Sequence, residues 1–291
     1  MQTHRIGIGG LKVGYRVSPT PLAAFKAVLD DLGYSKYVPN PRTDSSALVA
    51  TVKAKEGGKN RLIAGKGKPQ KGKPAGVEVV DVERHLDTFN AYDPRNRFKV
   101  TGANGSTKVQ RDDWDDEELT DAFLAEKAVL TTSAVNGAIN AIMQQELAGI
   151  PSLTGTYVPE ANVPAWKALA ERLFGRWDSD GNQVAEGVCA GLYEPASVQL
   201  DEDTIRSIRE RLRAEVTEES TNIALEVAGG TLNSTQIQTR CDRAQRLLEK
   251  IAVYDREFGA AQEDLRKVAE DANKMACYAL LTELGGVGVG L

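Results

Sequence analysis

Apolar residues in the last third of the chain recur at alternating intervals of three and four. Within 201–228, Ile205, Ile208, Leu212, Val216, Ile223 and Val227 fall near one stripe. "GGTLNS" interrupts the pattern, and Ser234 is placed to cap a new helix. That helix carries Ile237, Cys241, Ala244, Leu248 and Ile251. A second stripe follows through Tyr254, Phe258, Ala261, Leu265, Val268, Ala272, Met275 and Ala279. This is the spacing of a coiled-coil seam. It predicts a long antiparallel helical hairpin over 197–284 that folds back near residue 231, with Gly259 as a bend between two registers.

Charge agrees with that register. Glu215, Glu218 and Glu219 fall opposite Arg243, Arg246 and Lys250, and Arg206, Arg209 and Arg213 fall opposite Glu249, Asp255 and Glu257. A seam of this kind often docks a second copy or a partner. Ile237, Leu248, Ile251, Phe258, Leu265 and Val268 are therefore the expected oligomer or partner contact.

The first two thirds alternate between short strands and helices. "RIGIGGLKVGYRV" (5–17) reads as two strands with Gly9-Gly10 as a hairpin turn. A dinucleotide fingerprint would need a helix to open at those glycines, and a strand follows instead. "SPTPLAAFKAVLDDLG" reads as an amphipathic helix with Ser18 or Thr20 as cap, Pro21 in the first turn and Gly33 at the end. "DSSALVATVKA" reads as a short helix with Asp44 or Ser45 as cap. "NRLIAG", "GVEVVDVERH" and "NRFKVTG" read as a small antiparallel sheet, its first two strands joined by a Lys/Gly/Pro loop.

The acidic "RDDWDDEE" leads into a helix near 119–130, and "TTSAVNGAINAIMQQELAG" is a second helix. "NVPAWKALAERLFGRW" is a third, with Asn162 as cap and Pro164 in its first turn. The order helix, Gly33, Tyr37-Val38-Pro39, helix resembles helix, Gly149, Tyr157-Val158-Pro159, helix, which suggests a duplicated helix–strand–helix unit. The fold class is α+β. The expected domains are 1–110, with a basic loop at 53–74; 111–196, helix–strand–helix; and the helical hairpin at 197–284. A flexible tail is expected at 285–291.

Composition narrows the chemistry. The chain has 291 residues, 41% of them hydrophobic and 6% aromatic, with a formal charge of −5. It has two histidines, His4 and His85, and three cysteines, Cys189, Cys241 and Cys277, far apart in sequence. Zinc sites need ligands at characteristic spacings, and a Ser-His-Asp arrangement needs a nucleophile elbow; neither pattern occurs. No cofactor, metal or catalytic residue is expected. A metal-dependent nuclease would want an acid two positions before Lys99, and Arg97 stands there; a half-exposed edge strand explains Glu78, Asp81 and Glu83 more simply. "DSDGN" (178–182) reads as a turn, because its Gly stands at the fourth position where a calcium loop needs the sixth. The run at 112–118 reads as negative charge at a helix N-terminus. The chain shows no apolar leader and no 18-residue apolar run. With isolated cysteines, this leads us to expect a cytoplasmic protein.

One stretch departs from the acidic whole. Between Lys53 and Pro74 stand Lys53, Lys55, Lys59, Arg61, Lys66, Lys68, Lys71 and Lys73, eight basic residues against Glu56 alone, a local +7 in a chain at −5, which leaves −12 elsewhere. A basic loop binds phosphates without sequence preference, driven by counterion release. It carries no aromatic, so it lacks the stacking platform of single-strand binders. The expectation is a non-enzymatic, oligomerising or partner-bridging protein that touches nucleic acid through this loop. The alternatives are a structural or assembly protein without nucleic acid, and a metal-dependent enzyme using scattered carboxylates.

Overall fold

In chain order, β1 (Ile8–Val17), β2 (Thr20–Pro21), α1 (Leu22–Asp31) and α2 (Asp44–Glu56) open the computed structural model. A run of strands follows: β3 (Arg61–Lys66), β4 (Val77–Arg84), β5 (Tyr92–Thr101), β6 (Lys108–Arg111) and β7 (Trp114–Asp115). Next come α3 (Glu117–Lys127), β8 (Val129–Leu130), α4 (Thr132–Gln145), β9 (Ile150–Ser152) and β10 (Gly155–Val158). α5 (Val163–Phe174), β11 (Gly175–Trp177), β12 (Gln183–Glu186) and β13 (Gly191–Gln199) lead to three long helices, α6 (Glu202–Ala228), α7 (Ser234–Phe258) and α8 (Glu263–Gly285). The structure describes residues 8–56, 61–66, 77–84, 92–101, 108–111, 114–152, 155–177, 183–199, 201–259 and 262–285. The class is α+β, with small antiparallel sheets and long C-terminal helices packed together.

The chain forms two compact units, one of 1–16, 139–176 and 191–291, the other of 17–138 and 177–190. In the first unit the sheet order is β13-β1-β10-β9. β1 and β10 are antiparallel, with Leu11 opposite Val158 and Val13 opposite Thr156. Gly9-Gly10 is not a turn. It lies inside β1, because the backbone of the next strand comes too close for any side chain: a Cβ on Gly10 would stand 1.9 Å from the Val158 carbonyl oxygen.

α6, α7 and α8 form a three-helix bundle. The first two make the expected antiparallel hairpin. The second stripe is split rather than continued past a bend: Tyr254 and Phe258 end α7, Gly259 closes it with a left-handed φ of +59°, and Leu265 onward lies on a separate helix. Asn233, not Ser234, caps α7, with a reciprocal Gln236 bond. The core joins Ile208, Leu212, Val216 and Ile223 of α6 to Ile237, Cys241, Ala244, Leu247, Ile251 and Tyr254 of α7, and to Leu265, Ala269, Ala272 and Ala276 of α8. Each fully buried Leu or Ile contributes about 1.5–3 kcal/mol.

The second unit holds the sheet β3-β4-β5-β6-β7, antiparallel throughout. β3 and β4 are the expected hairpin across the Lys/Gly/Pro stretch. β4 is interior, with a register shift between Asp81 and Val82, so the edge-strand account of its charges is wrong. One face of the sheet carries α2 and α3: Ala47, Leu48, Val52, Leu119 and Phe123 bury with Phe98, Val100 and Val109. Asp116 caps α3 by accepting from the Leu119 N–H at 2.9 Å, with Glu117 and Glu118 in the first turn, as the acidic run led us to expect. α1 follows Pro21 without a cap from Ser18 or Thr20; Thr20 pairs instead with Leu130 as β2–β8. The two Tyr-Val-Pro segments differ, since Ser35–Tyr37 is a 3-10 turn whereas Tyr157-Val158 ends β10. That difference removes the support for a duplication.

Candidate functional site

The basic segment begins where α2 ends. Leu48 and Val52 bury one side of α2 in the second unit's core, which leaves Lys53 and Lys55 exposed in its last turn. Cations there complement the partial negative charge of a helix C-terminus. Lys55 is already engaged in an ion pair with Glu118 of α3. Arg61 and Lys66 bound β3. β3 and β4 pair from Arg61 opposite Val82 to Lys66 opposite Val77, so the two ends of the Lys/Gly/Pro stretch meet across one hairpin. Lys59, Lys68, Lys71 and Lys73 lie outside the described residues, as do His4, His85, Ala261 and the turn at 178–182.

A second concentration of charge lies in the first unit. A groove of about 790 Å³ runs along α6, α7 and the turn before β9, lined by Arg211, Glu215, Glu218, Arg243, Arg246 and Lys250 among others. Lys250 is buried to 5% exposure. Its Nζ donates to Glu215 Oε1 at 2.6 Å, Glu215 Oε2 at 2.8 Å and the Gly149 carbonyl at 2.9 Å. Burial pushes the Lys250 ammonium below its ordinary pKa, and the Glu215 carboxylate opposes that shift.

One turn further along α7, Tyr254 OH donates to the Ala148 carbonyl at 2.8 Å. Two α7 side chains thus satisfy consecutive carbonyls of a turn whose Ala148 has a φ of +52°. Sequence spacing puts Tyr254 in the apolar stripe and Lys250 opposite the glutamates of α6. That they serve the 148–149 turn follows only from the packing.

A third cluster surrounds Glu257, whose Oε1 accepts from Tyr157 OH at 2.6 Å and from the Gly10 N–H at 3.2 Å. The Glu160 N–H reaches both its oxygens at 3.2 Å. Burial, then the Glu257 bond, hold the Tyr157 hydroxyl well above its usual pKa, so it remains a donor. Glu257 therefore ties the end of α7 to β1 and to the end of β10.

The expected pairs of the hairpin hold in one half. Arg243 meets Glu219 at 2.5 Å and Lys250 meets Glu215. In the other half they do not: Arg213 meets Asp264 of α8 at 2.5 Å, Asp255 meets Arg266, and Arg209 stacks over Phe258, 5.2 Å from the ring centroid. The third helix takes those positions. Of the expected partner seam, Ile237, Ile251 and Leu265 are buried within this chain, Leu248 and Phe258 pack against the same core, and Val268 stays 40% exposed.

Cys241 and Cys277, read as isolated, come together: Cys277 packs against the core that holds Cys241 and faces its thiol. The signal was present in the hairpin geometry, since an α7–α8 turn at Gly259 sets the two positions level. Among the described residues no group of three or more His, Cys, Asp or Glu is placed to hold a metal ion, and no helix is long and apolar enough to cross a membrane. Compared with protein-family models, curated proteins and solved structures, the chain matches none.

Proposed function

We propose that this is a non-enzymatic, cytoplasmic interaction protein that contacts nucleic acid without sequence preference through the basic segment 53–74. The observation that carries the reading is the β3–β4 register, Lys66 opposite Val77. It makes the Lys/Gly/Pro stretch the connection of a hairpin built on a sheet that α2 and α3 brace from one face. Counterion release supplies the affinity, so duplex phosphates are the natural partner for a segment without aromatic residues.

The test is fluorescence anisotropy with labelled duplex DNA across a salt series. Replacing Lys66, Lys68, Lys71 and Lys73 with Ser should weaken binding on all sequences alike. It should also flatten the slope of log affinity against log salt by roughly 3–4. No binding by the parent protein at ~50 mM salt, where such contacts are strongest, refutes the reading.

A second reading, an assembly protein without nucleic acid, is favoured by one observation. α8 keeps Met275 at 44%, Tyr278 at 75% and Leu281 at 69% exposure on its outer side. Large apolar groups gathered on one helix face fit a contact between copies. Light scattering distinguishes a monomer from a dimer. A dimer that Tyr278→Lys dissociates, in a protein that ignores DNA, would favour the second reading.

A further inference from the structure

α7 and α8 each bring one cysteine to the same level of the bundle. Asp255 pairs with Arg266 beside the Gly259 turn, so numbers falling along α7 match numbers rising along α8. Cys241 is buried at 6% exposure and Cys277 is half-buried. The Cys277 thiol donates to Asn273 Oδ1 at 3.5 Å and packs against the core that holds Cys241, whose thiol it neighbours. Cys189, the third, is buried in the other unit beside Thr20.

We propose that Cys241 and Cys277 are an oxidation site: a peroxide closes them into a disulfide that pins α8 to α7. Access sets the order of events. Burial, with Cys277 adding to it, pushes the Cys241 thiol up to about 11, so it is a poor attacker of peroxide from solvent. Cys277 reaches solvent and reacts first. Its thiolate attacks one peroxide oxygen, the O–O bond breaks, and Cys277 becomes a sulfenic acid as hydroxide leaves.

The neighbouring Cys241 sulfur then attacks the Cys277 sulfur. The S–S bond forms, the S–O bond breaks, and the departing hydroxide takes the Cys241 proton as water. Two thiols are oxidised, and one peroxide is reduced by two electrons to two waters. Placement of both thiols at one level of the bundle compensates for the high pKa of Cys241, because the second step is intramolecular. The outcome is a covalent link between two helices where the buried residues of α8 are Leu265 and the small Ala269, Ala272 and Ala276.

The experiment treats the full-length, reduced protein with hydrogen peroxide, blocks remaining thiols in denaturant, and maps tryptic peptides. Cleavage after Arg240, Arg243 and Lys274 isolates Cys241 in 241–243 and Cys277 in 275–291. We expect these two peptides joined, with the loss of two hydrogens, and Cys189 still blocked as a free thiol. The joined species should revert on reduction. In Cys241→Ser, a dimedone adduct should accumulate on Cys277. If that variant does not fold, Cys277→Ser should leave Cys241 reduced under the same treatment.

Cys277 driven to sulfinic acid with Cys241 free overturns the proposal. So does a link to Cys189, or both thiols intact while added glutathione is consumed.

Discussion

Lys250 Nζ lies 2.6 Å from Glu215 Oε1, and the Gly149 carbonyl takes its third proton at 2.9 Å. This joins α6, α7 and the turn before β9 through a nearly dry cation. Removing one member of a buried pair leaves the other charge uncompensated, which costs about 3–5 kcal/mol. Glu215 is 34% exposed, which moves its loss toward the lower end. Glu215→Ala should therefore destabilise by about 3 kcal/mol in urea unfolding. The double change Glu215→Leu with Lys250→Met should recover most of that. No loss in Glu215→Ala beside a clear loss in the double variant would show that the Gly149 contact, which only Lys250→Met removes, matters and the ion pair does not.

Gly10 and Gly33 make a contrast between crowding and backbone freedom. A methyl on Gly10 would enter the Val158 carbonyl, so Gly10→Ala should open the Leu11–Val158 end of β1–β10, at about 3 kcal/mol or more. Gly33 has a φ of +79° with open space around it, so Gly33→Ala meets only left-handed strain, ~1–2 kcal/mol. Thermal melts of the two variants check the order.

The Glu257 cluster predicts a loss from a one-atom change. Tyr157→Phe removes the hydroxyl that donates to the carboxylate at 2.6 Å and accepts from the Gly10 N–H at 3.0 Å. A hydrogen bond to a charged group contributes about 1.5–3 kcal/mol, and the variant should lose stability in that range. Hydrogen exchange at Gly10 and Glu160 should show the opening locally.

Acid should weaken the α6–α7 seam at Glu226. Partial burial acts to raise its carboxyl, but the Arg240 bond and the Arg243 charge outweigh it, and the pKa ends below the usual 4.5. A depressed carboxylate adds stability that is present above the unfolded value and lost as pH falls through the folded one. Stability of the parent should thus decline below about pH 4.5 more steeply than that of Glu226→Gln. Parallel pH profiles for the two would remove this pair from the account.

Whether the apolar seam serves the chain itself can be read from two truncations. Ile251 is fully buried, so Ile251→Ala should cost about 2–5 kcal/mol. Val268 is 40% exposed, and Val268→Ala should stay within about 0.5 kcal/mol. The disulfide proposed between Cys241 and Cys277 closes a long loop and should add roughly 2–4 kcal/mol to the oxidised form.

By itself the sequence determined what local periodicity controls: the α+β class, the helices from Leu22, Asp44 and Val163 (though the caps expected from Ser18 or Thr20 and from Asn162 make no capping bond), the capped acidic start of α3, the β3–β4 hairpin and the antiparallel α6–α7 pair. These depend on neighbours within a few positions, so the information is contiguous. Tertiary structure decided what depends on who packs against whom. Periodicity placed Val268, Ala272 and Met275 on the inner face of α8; Ala272 is there, but with Ala269 and Ala276 rather than Val268 and Met275, because α8 approaches both α6 and α7 and small residues allow that closeness. Gly9-Gly10 had the composition of a turn, and only the neighbouring strand shows that Gly10 is a close approach. The Lys250–Gly149 and Glu257 contacts link residues a hundred or more positions apart, and Cys241 of α7 neighbours Cys277 of α8. No periodicity encodes such meetings; they exist because a core closed around them.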